Sequence, residues 1–338
     1  MNRQWDLFCR VVDNYGDVGV SWRLARDLAS RGRRVRLFID DASALRWMAP
    51  EGVPAGIEVL PWDASLTADS SGDVVVETFG CELPEAFIAR MAERQPAAPL
   101  WLNLEYLSAE SYVERSHGLR SPQSSGPGVG LDKRFFYPGF TTKTGGLLRE
   151  PGLLAARERF DAAVWLAGQG IERRPGERLV SLFAYPNERL PQLLDDLARE
   201  PTLLLVCGGM AAPAPRGALR CQAVPFMSQD DYDRLLWSCE LNFVRGEDSF
   251  VRAHWAGRPF VWHIYPQDDG AHGPKLEAYM ALAGLDAPTR ALWRAWNGLA
   301  NWPPAWPNAP EWAAQARRWR DRLAAQADLT TGLLAVSG

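Results

Sequence analysis

Near the start of the chain, the spacing of hydrophobic and polar positions changes from that of a strand to that of a helix and back. Residues 7–12 form a short, apolar and β-prone run, and residues 33–40 alternate between apolar and polar positions, which is the pattern of a strand. Between them, residues 18–30 place Trp22 and Ala29 on one face at helical spacing. This strand–helix–strand order favours a parallel sheet covered by helices.

The alternation of strand-like and helix-like segments continues along the chain. Further strands are predicted at residues 73–80, 99–107, 179–184, 202–207, 241–244 and 259–264. Helices are predicted at residues 85–94, 190–200, 230–238 and 248–256. Two successive series of this kind indicate two α/β domains with Rossmann-like architecture, at residues 1–150 and 178–310. We expect a linker at 151–177 and a C-terminal helix within 311–338 that packs back toward the first domain.

Residues 121–146 interrupt this pattern with a stretch rich in Gly, Ser, Pro and aromatic side chains. A long irregular stretch is typical of a functional loop or a linker, here in or near an interdomain cleft. Its aromatic and basic residues either touch a macromolecular partner or pin the loop to the core. These residues are Lys133, Arg134, Phe135, Phe136 and Tyr137.

Composition and charge limit the class of protein. The chain has 338 residues, 47% of them hydrophobic, and 37 basic against 41 acidic residues give a formal net charge of −4. This balance argues against a generally basic nucleic-acid-binding surface. Fifteen tryptophans exclude a disordered chain, which is poor in large aromatics. Those near the C-terminus are expected to pack the tail onto the domains.

Cysteine, histidine and apolar patterns exclude other classes. The five cysteines form no CxxC pair and the four histidines no HxxxH or HExxH motif, so neither a disulfide scaffold nor a zinc site is expected. The N-terminal residues do not resemble a signal peptide, and no apolar run approaches the roughly 20 residues that span a membrane. We therefore predict a cytoplasmic globular protein with no membrane association.

The loop at residues 13–19, DNYGDVG, stands where a strand passes into a helix, the usual ligand edge of an open α/β sheet. Gly16 and Gly19 allow tight turns, and Asp13 and Asp17 supply two carboxylates. Two acidic groups would repel a dinucleotide pyrophosphate, which disfavours a Rossmann dehydrogenase. Carboxylates here suit a general base or recognition of a cationic acceptor. The structural alternative is that Asp13 closes a turn and Asp17 caps the helix.

A second strand end runs into a helix at residues 244–251, VRGEDSFV. The helix would begin at Asp248 and Ser249, and the backbone amides there could bind phosphate, with Arg245 adding a charged contact. Glu247 and Asp248 either cap the helix or bind sugar hydroxyls, while backbone amides take the phosphates. An ordinary N-cap is the alternative to this nucleotide-binding role.

Other polar and aromatic residues follow strand ends of the same domain. They are Phe183 and Tyr185 in SLFAYPN, Phe226 and Gln229 in VPFMSQDDYD, and Tyr265 in HIYPQDD. Each alone is more typical of core packing or of a turn. Together, at successive carboxyl ends of strands, they mark where a nucleotide should bind.

The chain resembles the EarP family of bacterial protein-arginine rhamnosyltransferases in two long segments, FCRVVDNYGDVGVSWRLARDLA and RGEDSFVRAHWAGRPFVWHIYPQDDGAHGPKLEAY. Three shorter segments, SLFAYPN, PFMSQDDYD and FFYPGFTTKTGGLLRE, are also similar to this family. The resemblance implies a two-domain GT-B fold whose second domain binds dTDP-β-L-rhamnose and whose first domain binds mainly the acceptor. It implies inverting transfer to one arginine of translation elongation factor P, a modification that helps this factor rescue ribosomes stalled at proline runs.

Residue by residue, the resemblance assigns Asp17 as the general base, with Asp13 beside it and Glu247 as a third essential carboxylate. It matches a larger set to the donor, namely Phe183, Tyr185, Phe226, Gln229, Arg245, Asp248, Ser249 and Tyr265. Asn14, Tyr15 and Gly16 are the candidates on the acceptor side. No metal and no cofactor besides the sugar nucleotide are expected.

The chemistry explains why carboxylates are needed. An arginine side chain has a pKa above about 12, so its nitrogens are protonated and poor nucleophiles. One carboxylate can hold the guanidinium while a second accepts a proton as the C–N bond forms. Two alternatives stay open here: a GT-B enzyme for another sugar nucleotide or a small-molecule acceptor, and a non-enzymatic module that binds a translation factor.

Overall fold

Two β-sheets, each in a unit of its own, organise the chain. The structure, a computed structural model, describes residues 3–12, 15–267 and 270–338. The first unit comprises Met1–Pro151 with Leu323–Gly338, and the second comprises Gly152–Arg322. None of the helices in the described ranges is long and apolar enough to cross a membrane.

The first unit is built on a seven-stranded sheet. Its strands are β1 Gln4–Cys9, β2 Arg34–Ile39, β3 Ile57–Pro61, β4 Val74–Thr78, β5 Leu100–Leu104, β6 Arg120–Pro122 and β7 Asp132–Phe136. Its helices before the second unit are α1 Gly16–Ser30, α2 Leu45–Met48, α3 Glu85–Glu93 and α4 Ser111–Ser116, with short 3₁₀ helices at Trp62–Leu66 and Gly126–Gly128. The strand order is β3-β2-β1-β4-β5-β7-β6, and neighbours are parallel except for β6 against β7. The order therefore reverses between β1 and β4, where open α/β sheets bind ligands.

The second unit is built on a five-stranded parallel sheet. Its helices are α5 Leu153–Glu158, α6 Ala162–Gly168, α7 Leu190–Leu197, α8 Gln229–Ser238, α9 Asp248–Ala256, α10 His272–Leu282 and α11 Ala287–Trp296. Its strands are β8 Arg178–Leu182, β9 Thr202–Val206, β10 Leu219–Ala223, β11 Leu241–Arg245 and β12 Phe260–His263. The order β10-β9-β8-β11-β12 reverses between β8 and β11. Helix α12, Ala309–Ala324, runs across the division at residue 322, and α13, Leu329–Ser337, belongs to the first unit.

Helix α1 shows how the amphipathic pattern produces the first unit. Trp22 and Leu28 are buried against the sheet, and Gly32 takes a φ of 77° just after the helix ends. Arg31, the C-cap residue, binds Asp27 one turn earlier and also Asp328, at 3.0 and 2.7 Å. Since Asp328 caps the N-terminus of α13, one guanidinium joins the first helix to the last.

The prediction of an irregular loop at 121–146 is partly wrong. Within it, β7 pairs in parallel with β5, and β6 pairs antiparallel with β7. Phe136 is buried, and Lys133 binds the buried carboxylate of Glu77 at 3.3 Å and lies over the ring of Trp101. The dense Gly and Pro signal on both sides concealed a five-residue strand that the neighbouring β5 stabilises. For Phe136, the alternative of packing onto the core is correct.

The predicted linker at 151–177 is also different in the structure. It contains α5 and α6 and belongs to the second unit. Leu166 and Ile171 pack into the same hydrophobic cluster as Leu203 and Leu235 of the second sheet and its helices. Apolar burial of these side chains makes the segment part of a domain. The segment at 311–338 is likewise divided, because its first part belongs to the second unit and only residues from Leu323 onward to the first.

The core of the second unit holds a fully buried histidine. The Nδ1 atom of His254 is 2.6 Å from the carbonyl of Phe250, and its Nε2 atom is 2.8 Å from the hydroxyl of Tyr279. This arrangement fits a neutral imidazole that donates from Nδ1 and accepts at Nε2. Burial lowers the pKa of His254 to about 3. Burial also lowers the pKa of His263, at the end of β12, to about 4.

We expect acid to destabilise the fold through these two histidines. Because their folded pKa values lie below the unfolded value of about 6.5, the unfolded chain binds protons first as the pH falls. The contribution of these two histidines should level off at neutral pH, and below about pH 6.5 stability should fall by up to about 1.4 kcal/mol per pH unit for each histidine. Urea unfolding between pH 7.5 and 5 measures this slope. The variant His254→Gln should reduce the slope by one histidine's share, and an unchanged slope would contradict this account.

Candidate active site

At the carboxyl end of β1, Asp17 lies in the first turn of α1 and only 3% of it is exposed. Its Oδ2 atom accepts a hydrogen bond from the backbone N–H of Val12 at 2.8 Å, so the carboxylate ties the end of the strand to the start of the helix. The nearby thiol of Cys9 has its pKa raised to about 12, mainly by burial and further by the charge of Asp17. This contact is a loop-closing role, different from the predicted helix cap, and it holds the carboxylate near the carboxyl end of β1, the ligand edge of the first sheet.

The other predicted residues of this loop are described only in part. Asp13 and Asn14 lie outside the described residues. Tyr15 precedes α1, and its ring meets that of Trp47 edge-on at 5.2 Å, while Gly16 is the first residue of the helix. The ring contact packs Tyr15 against Trp47 at the start of α1.

A cavity of about 210 Å³ opens at the same edge, between the ends of β1, β4 and β5. Val12 contributes an exposed apolar wall, and the rings of Phe79 and Tyr106 stack at 4.5 Å. Phe79 and Glu82 have φ values of 57° and 49°, which are uncommon for residues other than glycine. Backbone strain of this kind is concentrated at functional sites in proteins, and here it adjoins Asp17 through Val12.

In the second unit, Arg245 occupies the point where the strand order reverses. Its guanidinium carbon lies 4.4 Å from the ring centre of Phe183 and 4.7 Å from that of Tyr185, and its Nη1 atom donates to the carbonyl of Ala184 at 3.4 Å. Phe183 and Tyr185 follow β8, and Arg245 ends β11. The sequence therefore places a cation between two rings at the crevice where a doubly wound sheet binds its ligand.

Two consecutive glycines after β9 shape this crevice. Gly208 and Gly209 have φ values of 73° and 76°. A Cβ atom on Gly208 would come within 2.5 Å of the Phe183 ring, and one on Gly209 within 3.2 Å of the Phe226 ring. Because both side chains are absent, both rings approach the backbone closely. Phe226 is 41% exposed, so part of its ring is accessible to solvent at the edge of the sheet.

The N-terminus of α9 lies beside these rings. Gly246 has a φ of 63°, and Glu247 occupies the N-cap position, but its side chain makes no capping hydrogen bond to the helix. Asp248 and Ser249 form the first turn, whose N–H groups point out of the helix end. Ser249 is buried beside the Tyr232 hydroxyl, and the Tyr232 ring meets Phe183 edge-on at 5.8 Å. The N-terminus of α9 therefore contacts the aromatic cluster through Tyr232.

The remaining donor candidates complete the edge. Gln229 is the buried first residue of α8, which Ser228 caps through the backbone N–H of Asp231. Tyr265 follows β12, is 46% exposed and meets the Tyr185 ring edge-on at 5.5 Å. The structure therefore gathers the predicted donor residues at the carboxyl edge of the second sheet. Phe183, Tyr185, Arg245 and Tyr265 form one contiguous cluster.

Sequence reasoning missed three contributors to this edge. The glycine pair in VCGGM, directly after a predicted strand, was a readable signal for Gly208 and Gly209. The Trp262 indole N–H donates to the Gly246 carbonyl at 2.8 Å and so supports the turn before α9. His263 packs edge-on against Tyr185 at 5.2 Å, and burial together with the charge of Arg245 keeps its pKa at about 4. A neutral imidazole therefore backs the cluster. Neither role is visible without the fold.

The described part of the chain contains no cluster suited to a metal ion. Within residues 3–12, 15–267 and 270–338, no group of three or more His, Cys, Asp or Glu side chains could hold a metal ion. All five cysteines carry free thiols.

Comparison with known proteins identifies the family. The model of the family described as Elongation-Factor P (EF-P) rhamnosyltransferase EarP matches residues 5–337. The chain belongs to the EarP family. The resemblance seen in the sequence is confirmed, and the match runs through both units.

Curated relatives agree over the full length. A protein-arginine rhamnosyltransferase of Pseudomonas aeruginosa is 48% identical, with 98% of this chain and 97% of the relative covered. One of Pseudomonas putida is 49% identical, with 99% and 98% covered. One of Neisseria meningitidis is 40% identical, with 81% and 77% covered. The prediction of an enzyme of the glycosyltransferase class is confirmed, and the non-enzymatic alternative is wrong.

Solved structures confirm the fold. The structure described as the basis for EarP-mediated arginine glycosylation of translation elongation factor EF-P is 38% identical, covers 98% of both chains and has a TM-score of 0.67. The spinosyn rhamnosyltransferase SpnG complexed with thymidine diphosphate, at 12% identity and a TM-score of 0.53, shares the fold alone. The predicted GT-B architecture of two α/β domains is therefore correct.

Proposed function

We propose that this EarP-family enzyme transfers L-rhamnose from dTDP-β-L-rhamnose to an arginine side chain of translation elongation factor P, with inversion, in the cytoplasm. Apart from family membership, the observation that carries the proposal is the cation between two rings at the second sheet's reversal point. Aromatic faces suit a nucleobase, and Arg245 together with the N-terminus of α9 suits a diphosphate.

Each donor residue has a place in this proposal. The exposed ring of Phe226 stacks on the thymine, and Gln229 and Tyr265 bind the nucleoside by hydrogen bonds and ring contacts. Arg245 and the amides of Asp248 and Ser249 stabilise the leaving diphosphate. Glu247, at the N-cap, binds the sugar hydroxyls or the incoming guanidinium.

The proposed transfer step is a single displacement. A guanidinium nitrogen of the acceptor attacks the anomeric carbon from the face opposite the nucleotide, and the bond from that carbon to the diphosphate oxygen breaks. The nitrogen loses one proton to Asp17, with Asp13 holding the guanidinium, and the electron pair of the broken bond leaves with dTDP. Modification by this route activates the factor for rescue of ribosomes stalled at polyproline.

Intact-mass spectrometry of elongation factor P tests the proposal directly. Incubation with this enzyme and dTDP-β-L-rhamnose should raise the factor's mass by one deoxyhexose residue, located by fragmentation on an arginine. Uridine sugars and free arginine serve as competing donor and acceptor. Transfer from a uridine sugar, or to free arginine alone, would replace the proposal with the alternative glycosyltransferase function.

Removal of side chains at the carboxyl edge of the second sheet should weaken nucleotide binding. We expect Phe226→Ala to lower dTDP affinity about tenfold, since stacking on a base contributes about 1–3 kcal/mol. Ser249→Ala keeps the backbone amide but removes the buried hydroxyl beside Tyr232 that helps to hold the first turn of α9, so it should lower the affinity only about threefold. Isothermal titration with dTDP measures both. Tyr112→Ala, which removes an equally exposed ring from the first unit, is the control, and unchanged affinity in both test variants would refute this placement of the nucleotide.

The enzyme should not require a divalent metal. We propose that Arg245 and the N-terminal amides of α9 neutralise the departing diphosphate, so transfer should proceed in excess EDTA at the rate seen without it. The mass-shift assay measures this rate with and without chelator. Loss of activity that magnesium or manganese restores would overturn the metal-independent mechanism.

A further inference from the structure

The second unit contains a larger cavity, of about 550 Å³, away from the carboxyl edge of its sheet, where the sugar nucleotide is proposed to bind. That edge is called the donor edge below. Its lining includes the first residues of β8 and β11 and the residues just before β12, so it lies at the amino ends of these strands. The donor cluster follows the carboxyl ends of the same strands. The cavity is therefore a separate feature, and its volume is that of a small-molecule site.

The tryptophan-rich segment before α12 builds one wall of this cavity. The indole N–H groups of Trp302 and Trp306 both donate to Oδ2 of Asp196, each at 2.7 Å, and Arg199 binds Oδ1 at 2.8 Å. Trp306 and Trp312 line the cavity together with prolines. These bonds hold a proline-interrupted segment at the end of α7, so the aromatic wall is preformed.

Among the described residues of the lining, the side chains with unused hydrogen-bond donors are cationic. The ring of Trp306 lies 5.8 Å from the guanidinium carbon of Arg178, whose buried Nε has no hydrogen-bond partner within the described part of the chain. Arg258 uses Nε to bind the Trp237 carbonyl at 3.3 Å, and its two terminal nitrogens make no hydrogen bond to any described residue.

The carboxylates of the lining are mostly engaged or exposed. Asp196 is occupied by its two indoles and Arg199. Glu240 binds Arg173 and the backbone N–H of Leu179, both at 2.7 Å. Glu200 lies on the exposed rim. Donor capacity inside the cavity therefore exceeds acceptor capacity, and the excess comes from Arg178 and Arg258.

We propose that this cavity is a binding site for a small planar aromatic carboxylate. The ring packs against Trp306 and Trp312, and the carboxylate accepts hydrogen bonds from the guanidinium groups of Arg178 and Arg258. The site is distinct from the donor edge and does not depend on which sugar nucleotide binds there. It also gives the tryptophan excess near the C-terminus a role that transfer chemistry does not require.

Fluorine NMR of the full chain labelled with 5-fluorotryptophan tests the site, with indole-3-carboxylate as the probe. Trp306→Phe and Trp312→Phe assign the two resonances. The probe should shift both saturably at concentrations up to about 1 mM. Indole, which lacks the carboxylate, should bind at least about tenfold more weakly, and so should inorganic phosphate, which lacks the ring. Equal binding of indole or of phosphate would overturn the proposal, as would no saturable shift.

Arginine variants locate the site. Arg178→Gln and Arg258→Gln should each weaken the probe about tenfold, and Arg178→Lys should recover only part of the loss because lysine lacks the planar fork. Arg318→Gln, an exposed position of α12 outside the lining, is the control. Fluorine spectra of the free variants verify that the fold is intact. Full affinity in both glutamine variants, or displacement of the probe by dTDP, would place the binding elsewhere.

Discussion

Replacement of Asp17 by asparagine should lower the rate of rhamnosyl transfer by about 10³-fold, within the range of general-base contributions. An amide cannot take the proton that the acceptor guanidinium loses. Asparagine keeps a carbonyl oxygen that can accept the Val12 N–H, so the loop should keep its shape. Single-turnover mass-shift kinetics measure the rate, and calorimetry should show unchanged donor affinity.

Asp40→Asn is the matched control for this experiment. Its carboxylate also accepts a backbone N–H of this loop, that of Val11 at 3.0 Å, but it has no proposed part in the transfer. The control should keep transfer within about threefold of the unmodified enzyme, as expected for a neutral surface substitution. If Asp17→Asn behaved like Asp40→Asn, the base would have to be another group.

Breaking the ion pair between α8 and α9 should have the largest effect on stability. Arg252 is 1% exposed and binds both carboxylate oxygens of Asp233, at 2.7 and 2.6 Å. Arg252→Met leaves a buried carboxylate without its cation and should cost about 3–5 kcal/mol of unfolding free energy. Urea denaturation measures the loss. Because α8 carries Gln229 and α9 carries Ser249, dTDP affinity should fall as well.

A double-mutant cycle separates this pairing from general damage. Adding Asp233→Leu to Arg252→Met removes the stranded charge and should recover much of the lost stability. Arg216→Met breaks an exposed pair with Asp195 in the same unit and should cost less than about 1 kcal/mol. If Arg252→Met cost no more than Arg216→Met, the buried pair would have no special role.

The sequence pattern predicted secondary structure correctly where a residue's burial depends on its neighbours in the chain. The prediction of a helix at 248–256 is confirmed to the residue, and the strand predicted at 241–244 differs by one position. Strands β3 and β10 were missed because Glu58, Arg220 and Gln222 interrupt their apolar pattern. Both strands lie at sheet edges, where partial solvent contact permits polar side chains.

Long-range contacts could not be read in the same way. Nothing in the sequence couples Arg252 to Asp233, since that pair depends on how two helices pack. The place of Arg245 between Phe183 and Tyr185 needs two strands that are adjacent in the sheet but about 60 residues apart in the chain. The sequence identified the residue types of the candidate site, whereas the order of the strands determines which of them touch.

The position of Arg245 between two rings also has an entropic consequence. A free arginine side chain loses about 2 kcal/mol of rotamer entropy when it is immobilised on a ligand. Here, two aromatic faces and the Ala184 carbonyl already restrict the rotamers. Much of that entropy is therefore lost when the domain folds, and little remains to be lost when an anion arrives. The guanidinium acts as part of a rigid surface, so an anion should bind it more tightly than it would a mobile arginine.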